Sequence, residues 1–384
     1  MIAADPARDL VFVPTGSASP DYYGGERLGD NRYANSLVAL RASTGAVVWH
    51  FQVVHHDLWD YDVASPPLLF TARQGGREIP AVAQATKMGH LFLLNRETGE
   101  PLFAVEERAV PASTVPGERA SPTQPFPTAV PPLAPPRLTL GDAWGLTPLD
   151  RRSCRARFAR LRNEGIFTPP SIGGTLVVPS NVGGAHWGGM AYDSARGIAV
   201  IPTNRLAAEV ALIPREQYTD SLRAQHPRAE FARQRGTPYV MRREIIFSPI
   251  GLPCNKPPFG ALVAVDLATG RKRWDVPLGT TRDMIAQKAK VPISKAWGTP
   301  NLGGPIVPAG GLGVGAAGMG DSLRAFDVVR GRELGKGRVP AGGQATPMTY
   351  RVSAAGKQYV VVAAGGHGRM GTRRGDYIVA FALP

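Results

Sequence analysis

The sequence predicts an all-β protein, a β-propeller of four-stranded sheets arranged around an axis. Three observations point there: a strand–turn–strand unit that recurs along the chain, a second repeated hairpin, and a composition rich in turn formers. The 45 Gly and 36 Pro among 384 residues suit many short strands and would break long helices.

The first repeat is carried by residues 37–45 (LVALRASTG) leading to Trp49, 93–99 (LLNRETG) leading to Phe103, 262–270 (LVAVDLATG) leading to Trp274, and 323–331 (LRAFDVVRG) leading to Leu334. Each copy is an apolar strand, a turn closing on Gly, and a second strand with a bulky residue soon after it. Glycine supplies the positive φ a tight hairpin needs, and the bulky residue is expected to pack between neighbouring sheets. Gly45 and Gly99 lie 54 residues apart and Gly270 and Gly331 lie 61 apart, longer than a minimal blade and consistent with decorated loops. The second repeat pairs residues 2–15 (IAADPARDLVFVPT) with 190–203 (MAYDSARGIAVIPT), each reading as strand, turn, strand and loop. Such repetition favours radially arranged sheets over a sandwich.

The whole chain, 1–384, reads as one domain with two insertions. Residues 104–150 are Pro-rich with little alternation and read as a long surface loop. Residues 205–257 are charged and helical in pattern over 214–233. Long ordered loops on a rigid scaffold are where a substrate site is expected.

The formal net charge of +14 comes from arginines assigned to loops, among them Arg151, Arg152, Arg155, Arg157, Arg369, Arg373 and Arg374. No basic helix or aromatic–basic module accompanies them, so nucleic acid is not an expected partner. Cys154 and Cys254 lack CxxC partners, which argues against zinc; one disulfide is open to them in an exported protein. No apolar run is long enough to span a membrane, and residues 1–6 do not read as a signal peptide.

Residues 54–62 (VHHDLWDYD) concentrate two histidines, three carboxylates and two aromatics where a strand enters a loop. They read as metal ligands, as a satisfied polar loop, or as a pocket in which one carboxylate is a general base. Adjacent histidines point apart on a strand, which weakens the first reading.

The same segment resembles the signature of the PQQ-dependent quinoprotein dehydrogenases, of the membrane-associated glucose dehydrogenase type. Further segments match that family in order: 14–21 (PTGSASPD), 86–89 (TKMG), 121–126 (SPTQPF), 168–170 (TPP), 302–305 (LGGP), 340–350 (PAGGQATPMTY), 364–368 (AGGHG) and 375–380 (GDYIVA). The resemblance implies an eight-bladed quinoprotein propeller with PQQ and Ca²⁺ near its axis, of which this chain holds an incomplete ring of about four to five four-stranded blades. It implies that Asp57 is the catalytic base and a Ca²⁺ ligand, and that Lys87 is the cation beside the quinone oxygens. Asn204 matches an amide on the cofactor, against its reading as a turn cap. His186 and Trp187, in a Gly-rich turn, either face the cofactor pocket or pack between blades. Ser17 stands where many members carry an Asn that ligates Ca²⁺, and its hydroxyl is the expected substitute.

The function so implied is oxidation of glucose or another sugar or polyol, with electrons passed to a quinone or another acceptor. The compartment implied is the periplasm. Met1 falls within the middle of the family's sequence, so a truncated form, or one needing a complementing N-terminal half, is expected. A non-catalytic propeller scaffold and an inactive remnant are the alternatives.

Overall fold

The structure, a computed structural model, describes residues 1–282, 294–315 and 318–382. Five antiparallel sheets follow one another along the chain, as the propeller reading expects. The first holds Ala3–Asp5, Leu10–Pro14, Ser36–Arg41 and Val47–Gln52. The second holds Leu68–Gln74, Arg77–Ala85 and Leu91–Asn95, with a single bridge from Leu94 to Pro101 where a fourth strand would lie. The third holds Ala191–Asp193, Ile198–Asn204, Gly260–Asp266 and Lys272–Pro277. Pro305–Ile306, Leu312–Gly315, Ser322–Asp327 and Glu333–Arg338 make the fourth, and Met348–Arg351, Gln358–Ala364 and Tyr377–Ala382 the fifth.

The repeats act as their spacing requires. Gly45, Gly99, Gly270 and Gly331 all take φ between 70° and 78°. Trp49 of the first sheet donates its indole N–H to Arg96 O and covers Gly99; Trp274 of the third donates to Val328 O and covers Gly331. A Cβ on either glycine would stand 2.7 Å from the indole, so the glycine admits the ring that joins two sheets. Phe103 packs against the cluster shared by the second and third sheets. Leu334 departs from the expectation and is half exposed. Between the fourth and fifth sheets the packing ring comes from the other side, as Phe381 lies over Gly337. In the second repeat, the Asp5–Arg8 and Asp193–Arg196 ion pairs brace equivalent turns.

The two predicted insertions contain regular structure. Residues 104–150 hold a hairpin, Val105–Ala109 with Thr123–Pro127, besides irregular loops. A further four-stranded sheet takes three strands from the excursion between two adjacent strands of the third sheet and one from the segment before that sheet. Its order is Thr175–Val177, Ala208–Pro214, Tyr239–Ile245, Glu230–Ala232. Of the helical pattern over 214–233 only a 3-10 turn, Arg215–Gln217, and a six-residue helix, Asp220–Gln225, form. The alternation in the flanking strands pairs them instead.

Arg151, Arg152, Arg155 and Arg157 are not in a loop. They lie on helix α1 (Pro148–Ala159), N-capped by Thr147 with Pro148 as its first residue. The cap and proline signals were present, and the arginine-rich composition masked them. α1 is held to the inserted sheet by Arg157, paired with Glu209 and Glu244, and by a disulfide between Cys154 and Cys254.

Candidate active site

In an antiparallel four-stranded sheet, the connection from strand two to strand three and the connection onward to the next sheet leave from the same end. The glycine turns occupy the other end. Residues 15–35, 86–90 and the excursion after Asn204 are connections of the first kind, and 53–67 and the segment leading into Ala191–Asp193 are of the second. The topology therefore gathers Ser17, Asn35, Asp57, Lys87, Arg243 and Trp187 at one end.

Asp57 is 1% exposed. Its Oδ1 accepts from Trp59 N at 3.0 Å, and its Oδ2 from Tyr61 N at 2.9 Å, Asn35 Nδ2 at 3.0 Å and the Ser17 hydroxyl. Burial pushes the carboxyl pKa up, and these four donors oppose the shift. The result is a desolvated carboxylate with fixed orientation, the character of a general base.

Lys87 lies in the turn between the second and third strands of the second sheet and is 1% exposed. Its ammonium donates to Asp60 O at 2.8 Å, Asp60 Oδ1 at 3.0 Å and Asp62 Oδ2 at 2.7 Å. Asp62 Oδ1 accepts from Ser17 N at 2.7 Å, so one carboxylate ties the lysine to the Asp57 cluster. Asp60 also meets Arg243 at 3.2 Å, and Arg243 donates to Tyr22 Oη and Glu230. Burial dominates at Asp60 and pushes its pKa up to about 7 despite Lys87 and Arg243. Burial acts the same way on Asp62, but Lys87 and Ser17 N outweigh it and hold that carboxyl below its ordinary value. The Trp187 ring is half exposed, 5.1 Å from Lys87 Nζ, which places it at the lysine and not between blades.

Asn204 and His186 gather elsewhere, on Asn301. Asn204 Oδ1 accepts from Asn301 N at 2.8 Å, and its Nδ2 donates to Asn301 O at 2.9 Å. His186 Nε2 lies 2.6 Å from Asn301 Oδ1 while its Nδ1 accepts from Gly188 N, so the ring carries its proton on Nε2. Burial lowers the His186 pKa to about 4, leaving it neutral. This group reaches the site through the main chain: Asn204 N donates to Gly184 O, and Gly184 N to Lys87 O.

The paired histidines point apart. His55 lies between Gln52 and Glu107, and His56 between Gly29 O and Glu118. Among the described residues no group of three or more His, Cys, Asp or Glu side chains is arranged to hold a metal. Ser17 Oγ beside Asp57 is a hard donor of the kind Ca²⁺ takes, and with the carboxylate it makes part of a shell of about 6–8, whereas Asn35 turns its Nδ2 to the carboxylate. The buried cation and exposed indole at Lys87 and Trp187 match the needs of an anionic, planar quinone. Sequence reasoning missed Asn35, Asp60, Asp62 and Arg243. Asp60 and Asp62 sat inside the quoted signature, whereas nothing local marked Asn35 or Arg243.

A profile of the PQQ glucose/ethanol/alcohol dehydrogenase β-propeller domain matches residues 1–360. The chain is 44% identical to quinoprotein glucose dehydrogenase A of Acinetobacter calcoaceticus over 100% of its own length and 48% of that protein's. It is 40% identical to a probable quinate dehydrogenase (quinone) of Xanthomonas campestris pv. juglandis, over 99% of the chain and 49% of the relative. It thus spans about half the length of the curated relatives it matches. Among solved structures, quinohemoprotein alcohol dehydrogenase from Comamonas testosteroni superposes with a TM-score of 0.61 at 21% identity, over 100% of this chain and 48% of that one, a likeness of fold. The sheets, the signature around Asp57 and the full-length similarity agree that this chain belongs to the PQQ-dependent glucose/ethanol/alcohol dehydrogenase β-propeller family.

Proposed function

We propose that the chain carries the base and the cationic side of the active site of a PQQ- and Ca²⁺-dependent dehydrogenase acting on glucose or another sugar or polyol. The observation that carries this is the link from Asp57 through Ser17 and Asp62 to Lys87, which connects a buried carboxylate to a buried ammonium at the loop end of two sheets.

PQQ supplies, when bound, a quinone able to accept a hydride from the carbon bearing the substrate hydroxyl. Asp57 takes the hydroxyl proton on its carboxylate; its raised pKa makes it a better acceptor. Lys87 supplies positive charge where negative charge develops on neighbouring oxygens, and Trp187 offers a flat apolar face beside it. Asp57 and Ser17 would contribute to a Ca²⁺ shell. Asn204 and His186 act through Asn301 and Gly184 by fixing the turn behind Lys87. The acceptor of the electrons is a quinone or another carrier, and a complementing segment supplies the rest of the site. The compartment is the periplasm, where the Cys154–Cys254 disulfide would persist.

The test is titration of the purified chain with PQQ and Ca²⁺, followed by cofactor absorbance, with glucose and polyol turnover assayed next. Lys87→Ala should weaken PQQ binding by at least about tenfold, the loss of one charge-assisted contact. Asp57→Asn should bind PQQ yet lose turnover by about 10²–10⁴-fold. A folded sample with no Ca²⁺-dependent PQQ binding would sink the reading for this chain.

A further inference from the structure

Asp57 follows a residue in a costly conformation. His56 has φ of +45°, in the left-handed region that a β-carbon disfavours, and Gly24 packs so close that a Cβ there would meet the His56 ring at 2.2 Å. Something outside residues 55–57 must hold them there. The contacts come from the hairpin and loop at 105–127, which are not part of a blade, and from the loop at 15–35.

The Gln124 side chain is fully buried and clasps the main chain of His55 on both sides. Its Oε1 accepts from His55 N at 2.8 Å and its Nε2 donates to His55 O at 2.7 Å, the two bonds a neighbouring strand would make. Glu118, with its side chain 2% exposed, grips the next residue: its Oε1 lies 2.9 Å from His56 Nε2, while Gly29 O lies 2.7 Å from Nδ1. The other Glu118 oxygen accepts from Gly24 N, which draws the chain against the same ring. Arg27 then donates to the carbonyl of Asp57 itself. Three successive residues are thus held, each by a different side chain. Beyond them Trp59 N and Tyr61 N close on the Asp57 carboxylate.

We propose that Gln124 and Glu118 are positioning residues for the reaction: the 105–127 hairpin splints residues 55–57 so that the Asp57 carboxylate faces Ser17 and Asn35. The proposal rests on Asp57 being the base, as argued above. It also gives the 121–126 motif a physical task, since Gln124 lies within it. Neither side chain bonds to the carboxylate, so their effect reaches the reaction through Asp57 alone.

The test compares the full chain with Gln124→Met, which keeps the volume and removes both amide bonds, and with the pair Glu118→Leu and Glu118→Gln, the second retaining an acceptor for His56. Two readouts are taken. The first is hydrogen exchange of the Trp59 and Tyr61 amides without cofactor, with residues 37–40 of the first sheet as an internal standard. The second is kcat and KM with PQQ and Ca²⁺ bound. Gln124→Met and Glu118→Leu should speed exchange at Trp59 and Tyr61 by at least about tenfold with the standard unchanged. They should lower kcat by about 10–100-fold with KM and PQQ affinity nearly unmoved, the scale of a misplaced catalytic group. Glu118→Gln should recover most of both. Unchanged exchange at Trp59 and Tyr61, or equal acceleration in the first sheet, overturns the proposal. If the wild type binds PQQ and turns over but kcat is the same in the variants, the positioning role alone fails. If the wild type never turns over while the local exchange responds, the function proposed for this chain by itself fails, and the splint stands on the exchange at Trp59 and Tyr61.

Discussion

Asp60 is pulled two ways. It accepts from Lys87 and Arg243, yet burial outweighs both cations and its carboxyl titrates at about 7 instead of 3.8. A raised acid pKa means that the folded chain binds the proton more tightly than the unfolded one. The stabilisation is complete below pH 3.8 and is lost as pH rises through about 7. Relative to Asp60→Asn, the wild type should therefore lose stability across that window, as read by denaturant midpoints on either side of it. Midpoint differences that do not change with pH would show that Asp60 titrates alike in the folded and unfolded chain. His186 shifts the opposite way. Its pKa near 4 means that its contribution is present at neutral pH and fades as acid charges the ring. The residue scale also shows what a motif hides: Asp57, Asp60 and Asp62 stand in one nine-residue string, but one is a base candidate, one bridges two cations, and one ties Lys87 to Ser17.

At the scale of elements, α1 and the inserted sheet form a unit of their own, fastened by ion pairs around Glu209 and by the disulfide. Arg157 and Arg242 both reach Glu209, and Arg157 also reaches Glu244. The disulfide joins positions 100 residues apart, so it removes much freedom from the unfolded chain. Replacing Cys154 and Cys254 by Ala should cost about 2–5 kcal/mol. The loss should appear first as protease cleavage within 205–257, the long excursion whose end Cys254 anchors. Unchanged cleavage and an unchanged unfolding midpoint would mean that the ion pairs suffice. Because Arg243 enters the site from this sheet, loosening it should also reach Asp60.

Across the whole molecule, packing is between neighbours. One buried cluster joins the first and second sheets with the inserted sheet, another the second and third, another the third and fourth, and another the fourth and fifth. Trp274 sits at the third of these joints, over Gly331. Trp274→Ala should cost about 2–3 kcal/mol, somewhat less than a fully buried tryptophan. Amide exchange in the fourth and fifth sheets should rise by more than about tenfold while the first two sheets stay protected. Uniform acceleration would show instead that all five sheets open as one cooperative unit.

The sequence alone determined the repeat. Strand alternation, turn glycines and the tryptophans that follow them are local signals, and the local physics of φ and side-chain size is enough to read them. With the family resemblance it also singled out Asp57, Lys87 and Trp187, because those residues stand in contiguous motifs. It was blind where partners come from distant segments. Arg243 at Asp60, Asn35 at Asp57 and Gln124 at His55 are each meetings across 22 to 183 residues, whereas the Cys154–Cys254 pairing was open in the sequence and the structure forms it. Helix α1 was hidden for a different reason, since arginine-rich composition resembles a solvated loop until an ion pair and a disulfide give one face a place to dock. Which carboxylate bridges two cations and which lies buried among neutral donors was decided only by the tertiary structure, because burial and the direction of neighbouring donors set a carboxyl's pKa, and neither exists until the sheets have packed.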